Sequence, residues 1–140
     1  MRLEELRIAI IATLKAYGGL TTLLAVDPID GTSPAVFDHV TQDSGFPYVV
    51  VGEPNGTEHD ADDIQGWTGE VVIHSYSRER GFASVEAIMR QTDDALHRVV
   101  PVVTDARVVT LHRESVDSVL DPDGLTRHGI HAFRVILEEL

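Results

Sequence analysis

With 140 residues the chain is near the commonest size of one domain, so we expect a single domain over 1–140. Its 23 acidic and 11 basic residues give a formal net charge of -12, a surface that repels phosphate and argues against direct nucleic-acid binding. Cysteine is absent, which excludes disulfides, thiolate metal sites and a cysteine nucleophile.

The first predicted element is an amphipathic helix. Apolar side chains recur three and four residues apart along one stripe, at Leu3, Leu6, Ile10, Leu14 and Tyr17. The pair Gly18-Gly19 is predicted to end this helix as a C-cap, with room for one further helical turn within 21–25. Asp27-Pro28 and the turn-forming residues that follow then predict a loop.

Two strands are predicted next, at 46–52 and 69–76, where β-branched and aromatic residues lie between turn formers. A short extra strand is also considered at 36–40. The stretch 53–68 between the two strands is predicted to be a long polar connection, with a hairpin turn at Asn55-Gly56-Thr57. Both strands are apolar on successive positions, so both of their faces are expected to be buried. A neighbouring subunit could supply part of this burial.

The second half of the chain repeats this order. Helical periodicity predicts a second helix over 81–98, followed by strands at 106–116 and 128–137. Val109, Leu111 and Arg113 are expected on one face of the first strand. In the second strand, one face is expected to carry His131, Phe133, Val135 and Leu137. The order α-β-β-α-β-β predicts an α+β fold: a four- or five-stranded, mainly antiparallel sheet with two helices packed on one face.

No arrangement in the sequence predicts catalysis, a metal or a cofactor. His128 and His131 lie three apart in a strand and face opposite sides, so they cannot share a metal. The segment from His59 to Asp63 is rich in carboxylates but lacks the order of a calcium loop. No serine lies in a nucleophile elbow, and no glycine-rich phosphate loop is present. We therefore expect a protein that is not an enzyme.

The most distinctive local feature is the acidic connection between the first two strands. It has no basic residue and carries Glu53, Glu58, Asp60, Asp62 and Asp63. Trp67 follows it, and two roles for this side chain stay open: a place in the core, or an anchor at an interface, where tryptophan is enriched.

Membrane insertion and export are not expected. The apolar runs at 8–12 and 48–51 are far shorter than the roughly 20 residues that span a bilayer. Glu4 and Glu5 interrupt the apolar stretch that a secretory signal requires, so synthesis in a cytosol is expected.

Several short strings, in this order, resemble the phage tail completion or tail terminator family. They are 14–16 (LKA), 46–52 (FPYVVVG), 69–77 (GEVVIHSYS), 94–97 (DALH) and 121–129 (DPDGLTRHG). The resemblance covers nearly the whole chain. The stretch Asp60 to Asp63 departs from it, in a loop whose length and sequence are expected to vary.

The resemblance implies a structural subunit of a ring, usually hexameric, that closes the head-proximal end of a tail tube. Its partners would be further copies of itself, the tail tube protein and a head–tail connector or stopper protein. Assembly would take place in the host bacterial cytoplasm, and the subunit would then stay in the virion, a phage-like particle or a gene transfer agent. DNA would pass through the ring without specific binding.

A closed ring of identical subunits needs two different complementary patches on each subunit. We expect Tyr48, Val50, His74 and Tyr76, on the two strands that are apolar on both faces, to lie at such a contact. The acidic loop with Trp67 is expected at the lumen or between subunits. Two alternatives stay open: another joining protein of the neck or head, and a small ligand-binding domain or enzyme.

Overall fold

The structure, a computed structural model, describes residues 2–39, 44–61 and 63–140, which form three helices and seven strands. The helices are α1 (Leu3–Ala16), α2 (Gly18–Thr21) and α3 (Ala83–Leu96). The strands are β1 (Val36–Phe37), β2 (Tyr48–Val51), β3 (Asn55–Ala61), β4 (Ile64–Ser77), β5 (Val102–Val103), β6 (Ala106–Leu120) and β7 (Arg127–Glu139). The predicted α+β class is confirmed. Within these ranges, the helices are too short or too polar to cross a bilayer.

All seven strands join one mixed sheet in the order β1-β2-β4-β7-β6-β5, with β3 paired to the first half of β4. β1 runs parallel to β2, and the other pairs are antiparallel. The prediction of four or five strands is therefore wrong. The strands that were not predicted are β3 and β5. β5 has two residues and β3 exposes its described side chains on both faces, so neither length nor apolar alternation marks these two strands in the sequence.

The polar connection predicted at 53–68 is instead largely a hairpin of β3 and β4, and Asn55-Gly56-Thr57 lies within β3 rather than at a turn. The short strand considered at 36–40 forms as β1, while Val40 lies outside the described residues.

α1 buries Leu6, Ile10 and Leu14 along the predicted stripe. The helix ends at Ala16 because Tyr17 has extended backbone, with φ -89° and ψ 102°. Gly18 and Gly19 do not cap α1 as predicted; they begin the short helix α2.

α3 lies within the predicted range and is clearly amphipathic. Val85, Ile88, Met89, Thr92 and Leu96 are buried against the sheet. Glu86, Arg90 and Asp94 are exposed on the opposite side, and the bond from the His97 N–H to the Asp93 carbonyl closes the last turn. The second predicted helix is confirmed.

The main core lies between the helices and one face of the sheet. On β4 every second residue faces it, including Val71 and Ile73, which are fully buried. On β7 the predicted face is confirmed, since the following four side chains are all buried: His131, Phe133, Val135 and Leu137. The sheet thus has a covered face toward the helices and an open face away from them.

β6 and β7 form the longest pair, and β6 contains two register shifts, between Val108 and Thr110 and between Arg113 and Ser115. Val109 therefore has no partner across the pair and is exposed, whereas Leu111 is buried opposite Val135. The prediction that Val109 shares a face with Leu111 and Arg113 is wrong, because a β-bulge changes the alternation at that point.

Candidate subunit-contact surface

Four of the predicted contact residues meet as two cross-strand pairs. Tyr48 of β2 lies opposite Tyr76 of β4, and Val50 lies opposite His74. Their neighbours Val49, Val51 and Ile73 are fully buried in the main core. Because side chains alternate along a strand, the four residues lie on the open face of the sheet.

Tyr48, Tyr76 and His74 belong to a continuous row of rings in contact, the aromatic ladder, formed by Phe46, Tyr48, Tyr76, His128 and His74. Successive ring centroids are 5.0, 4.9, 4.4 and 5.0 Å apart. The Arg78 guanidinium lies 4.3 Å from the centroid of the Phe46 ring, at cation–π distance. Phe46, Tyr48 and Tyr76 of the ladder pack with Ala35 and Phe37 in a small second apolar cluster, on the face that no described helix covers.

A hydrogen-bonded histidine pair joins the ladder to the β6–β7 turn. His74 Nδ1 lies 2.8 Å from His128 Nε2, and His128 Nδ1 lies 3.3 Å from Asp121 Oδ1. Burial lowers the pKa of His74, and the neighbouring His128 lowers this pKa further. Burial also raises the pKa values of Tyr48 and Tyr76, so both phenols stay neutral at physiological pH.

The carboxylates predicted near a lumen are not equivalent. Glu58 and Asp60 on β3 and Asp63 at the tip are exposed, so they form one acidic end of the β3–β4 hairpin. Glu53 lies outside that group, because its Oε2 accepts a bond of 2.6 Å from Nη1 of Arg7 on α1. Asp62 lies outside the described residues.

Trp67 lies in the core and only 2% of its surface is exposed, which decides between its two predicted roles. Its indole covers Gly69, where a Cβ would stand 2.4 Å from Trp67 Cζ2 and 2.0 Å from the Asn55 carbonyl oxygen. The ring fills the space that Gly69 leaves, and Gly56, paired with Gly69 across β3 and β4, lets the two backbones approach closely. Trp67 supports the hairpin from inside.

Sequence reasoning missed His128, Asp121, Phe46 and Arg78 as members of this surface. Their proximity depends on the strand register, which pairs His128 with Tyr76 across β4 and β7. His128 and His131 do face opposite sides, as predicted, since His131 is buried in the covered face. Across the described ranges, no three His, Cys, Asp or Glu side chains are grouped to hold a metal. The groups on this surface are suited to stacking and hydrogen bonding between proteins.

Comparisons with known proteins agree with a structural role. A chain of a solved structure described as "Virion of native gene transfer agent (GTA) particle" has a TM-score of 0.81 and 25% identity, over 95% of this chain and 94% of that one. A second solved chain, 13% identical over 98% of this chain and 94% of that one, has a TM-score of 0.56 and shares the fold. None of the curated proteins matches.

The class defined by the fold and these matches is that of structural proteins of the phage tail. The family model described as "Tail completion protein gp17" matches residues 8–138, nearly the whole chain. The protein belongs to this tail completion family.

Proposed function

We propose that the protein is the subunit of a closed, hexameric ring that terminates the tail tube and joins it to the head connector. The observation that carries this proposal is the aromatic ladder. Five rings in mutual contact lie on a sheet face that no described helix covers. Tyr48 is buried and the other four rings are half-buried, and a cluster of aromatic side chains that reaches the surface is typical of a site that another protein covers.

A ring also requires a second patch that differs from the first. Val100 and Val102 fit this requirement, since they are 61% and 94% exposed. Val102 lies in β5, at the opposite end of the strand order from β1 and β2. Contact between the ladder of one subunit and the β5 side of the next repeats by rotation and closes a ring.

The acidic hairpin end, formed by Glu58, Asp60 and Asp63, faces the channel in this proposal. Carboxylates repel the phosphates of DNA, so the genome passes the ring without adhering to it. The proposal thus assigns one surface to self-association and another to DNA passage. The remaining axial surfaces contact the tail tube protein on one side and a connector or stopper protein on the other.

Assembly takes place in the host bacterial cytoplasm, and the ring then stays in the particle at the head-proximal end of the tail. The test is the molar mass of the purified protein by light scattering across a wide concentration range. A ring mass supports the proposal. A chain that stays monomeric, alone and with its tail tube protein, would overturn it, and six copies at another joint of the neck would favour a head-completion role.

A further inference from the structure

One side of β6 is covered only in part. β5 pairs with Ala106 and Arg107, at the start of the strand. Farther along, the Arg98 N–H donates to the Leu111 carbonyl at 2.8 Å, and the Arg113 N–H donates to His97 Nδ1 at 3.0 Å. The connection between α3 and β5 thus closes this side as far as Arg113.

Residues 115–120, named here the open edge, have no strand on that side within the described chain. The Ser118 N–H donates to the carboxylate of its neighbour Asp117 at 2.8 Å, which indicates that this amide points away from β7. With a two-residue period, the backbone groups of Val116 and Leu120 point the same way. Val116 and Leu120 are each 49% exposed. An exposed edge with apolar side chains readily pairs with another strand, so the open edge is suited to such pairing.

A cavity of about 440 Å³ lies directly beside this edge, between α3 and β6. Its walls combine apolar and charged side chains from α3, β6 and β7, and among them are Met89, Val116, Ser118, Asp93, Arg113 and His131. A strand added at the open edge would point alternate side chains into this space.

His131, at the wall of the cavity, is a buried polar side chain, and its charged neighbour Asp93 lies just beyond ordinary hydrogen-bond length. It is 1% exposed, and neither ring nitrogen makes a hydrogen bond to the described residues. Asp93 Oδ1 is also unbonded and lies 3.4 Å from His131 Nε2, while Asp93 Oδ2 accepts a bond of 2.7 Å from Arg113. Buried polar groups in folded proteins are nearly always paired, so this site has hydrogen-bonding capacity that the chain itself does not meet.

We propose that the open edge and this cavity form a docking site for an extended segment of another protein of the particle. The segment adds to β6 as a further strand and inserts a basic side chain beside Asp93 and His131. Main-chain bonds then give affinity and the cavity gives specificity, the mode known as strand addition. The inference rests on the proposed location in a particle but is independent of the ring stoichiometry.

The charges of the cavity indicate the chemistry of the occupant. Three carboxylates, of Glu86, Asp93 and Asp117, line it against the two guanidinium groups of Arg90 and Arg113. Asp93 Oδ1 and a lone pair of the neutral His131 both accept hydrogen bonds, so a lysine or arginine from the incoming strand satisfies both. Burial lowers the pKa of His131 despite the nearby Asp93, which keeps this imidazole neutral.

A second copy of this chain is a poor occupant. Among the described residues the edge strands β1 and β5 have only two residues each, too few to pair along the open edge. The longer edge strand β3 carries Glu58 and Asp60 and neither lysine nor arginine. Its docking would bring carboxylates against the three carboxylates of the cavity. With a net charge of -12, the chain favours a different and more basic partner.

The test places a photoreactive amino acid at Ser118 in assembled particles, with Asp94 on the exposed side of α3 as the control position. We expect mass spectrometry to find the Ser118 crosslink on a segment of another protein that has a lysine or arginine among β-branched residues. Val116→Pro removes one outward N–H and should abolish this crosslink, whereas Val116→Thr keeps the N–H and should preserve it. A crosslink from Ser118 to a second copy of the chain overturns the inference. A yield at Ser118 no higher than at Asp94 overturns it as well and would indicate that the cavity holds only water.

Hydrogen exchange of the unaltered chain gives an independent measurement. The amides of Val116 and Leu120 should exchange rapidly in the isolated protein and slowly in particles. Protection that arises on self-assembly alone contradicts the inference and leaves the proposed ring intact. Absence of the chain from purified particles overturns the proposed function instead, and equal exchange in both states overturns only the docking site.

Discussion

His74 Nδ1 and His128 Nε2 lie 2.8 Å apart, so the imidazoles of β4 and β7 are joined by one hydrogen bond. This bond needs a donor on one ring and a lone pair on the other, and it is lost when both rings are protonated. The pair therefore links the proposed contact surface to pH.

Stability should fall as the solution becomes acidic. The folded chain lowers the pKa of His74 and of His131, whereas in the unfolded chain both titrate near 6.5. Below pH 6.5 the unfolded state binds more protons, so the free energy of unfolding decreases as pH falls through and below that value. Each histidine adds a slope of at most about 1.4 kcal/mol per pH unit.

Urea denaturation at a series of pH values measures this slope. His74→Gln should reduce it, whereas His112→Gln, at an exposed position on β6, should leave it unchanged. An unchanged slope in His74→Gln would show that the histidine pair does not titrate in this way.

Gly69→Ala should destabilise the β3–β4 hairpin by about 1–3 kcal/mol, the usual cost of overpacking. The new Cβ would stand 2.0 Å from the Asn55 carbonyl oxygen and would also meet the Trp67 ring. Gly18→Ala is the matched control, because nothing lies within 4 Å of its Cβ. A gain of about 0.4–1 kcal/mol is expected for it in thermal or urea unfolding. Equal effects of the two substitutions would contradict the packing of Trp67 over Gly69.

The hairpin also illustrates what the sequence could predict. α1, α3, β4 and β7 were predictable because apolar residues recur with the period of a helix or strand over many residues. β3 was not, because its seven residues, Asn55–Ala61, are stabilised by pairing with β4 rather than by burial of an apolar face. The second half of β6 was also hard to predict, because the bulges near Val109 and Glu114 interrupt the alternation of apolar and polar residues.

The candidate surface was predictable only in part. Tyr48, Val50, His74 and Tyr76 stand out as apolar or aromatic residues on the second face of two strands. His128 and Asp121 join them through the pairing of β4 with β7, and neither residue has a local sequence signal for it. The contact of His131 with Asp93 depends in the same way on how α3 packs on the sheet.

Val50→Asp should prevent self-association while the subunit stays folded. Val50 is half-buried on the open face beside the ladder, so a charge there would be desolvated in a subunit contact. Val109→Asp, at an exposed bulge of β6, is the control and should assemble normally. Light scattering gives the mass and circular dichroism the fold. A folded Val50→Asp protein with the wild-type mass would show that the ladder is not part of the subunit contact.

Removing charge from the hairpin end should impair DNA passage and leave assembly unaffected. In Asp60→Asn with Asp63→Asn, phosphates meet a less repulsive wall, and DNA ejection or transfer should slow several-fold. Glu79→Gln with Asp94→Asn changes the same number of exposed carboxylates elsewhere and should behave as the wild type. Particle counts and infectivity, or transfer frequency, provide the measurement; unchanged values in the hairpin variant would argue against an acidic channel wall.

The most direct measurement for the central proposal is an electron-microscopy reconstruction of the purified particle with this chain identified in the density. The proposal predicts six copies in a closed ring at the head-proximal end of the tail tube, with the aromatic ladder of each copy buried by its neighbour. A different copy number, a position elsewhere in the particle, or a ladder that faces solvent would contradict it.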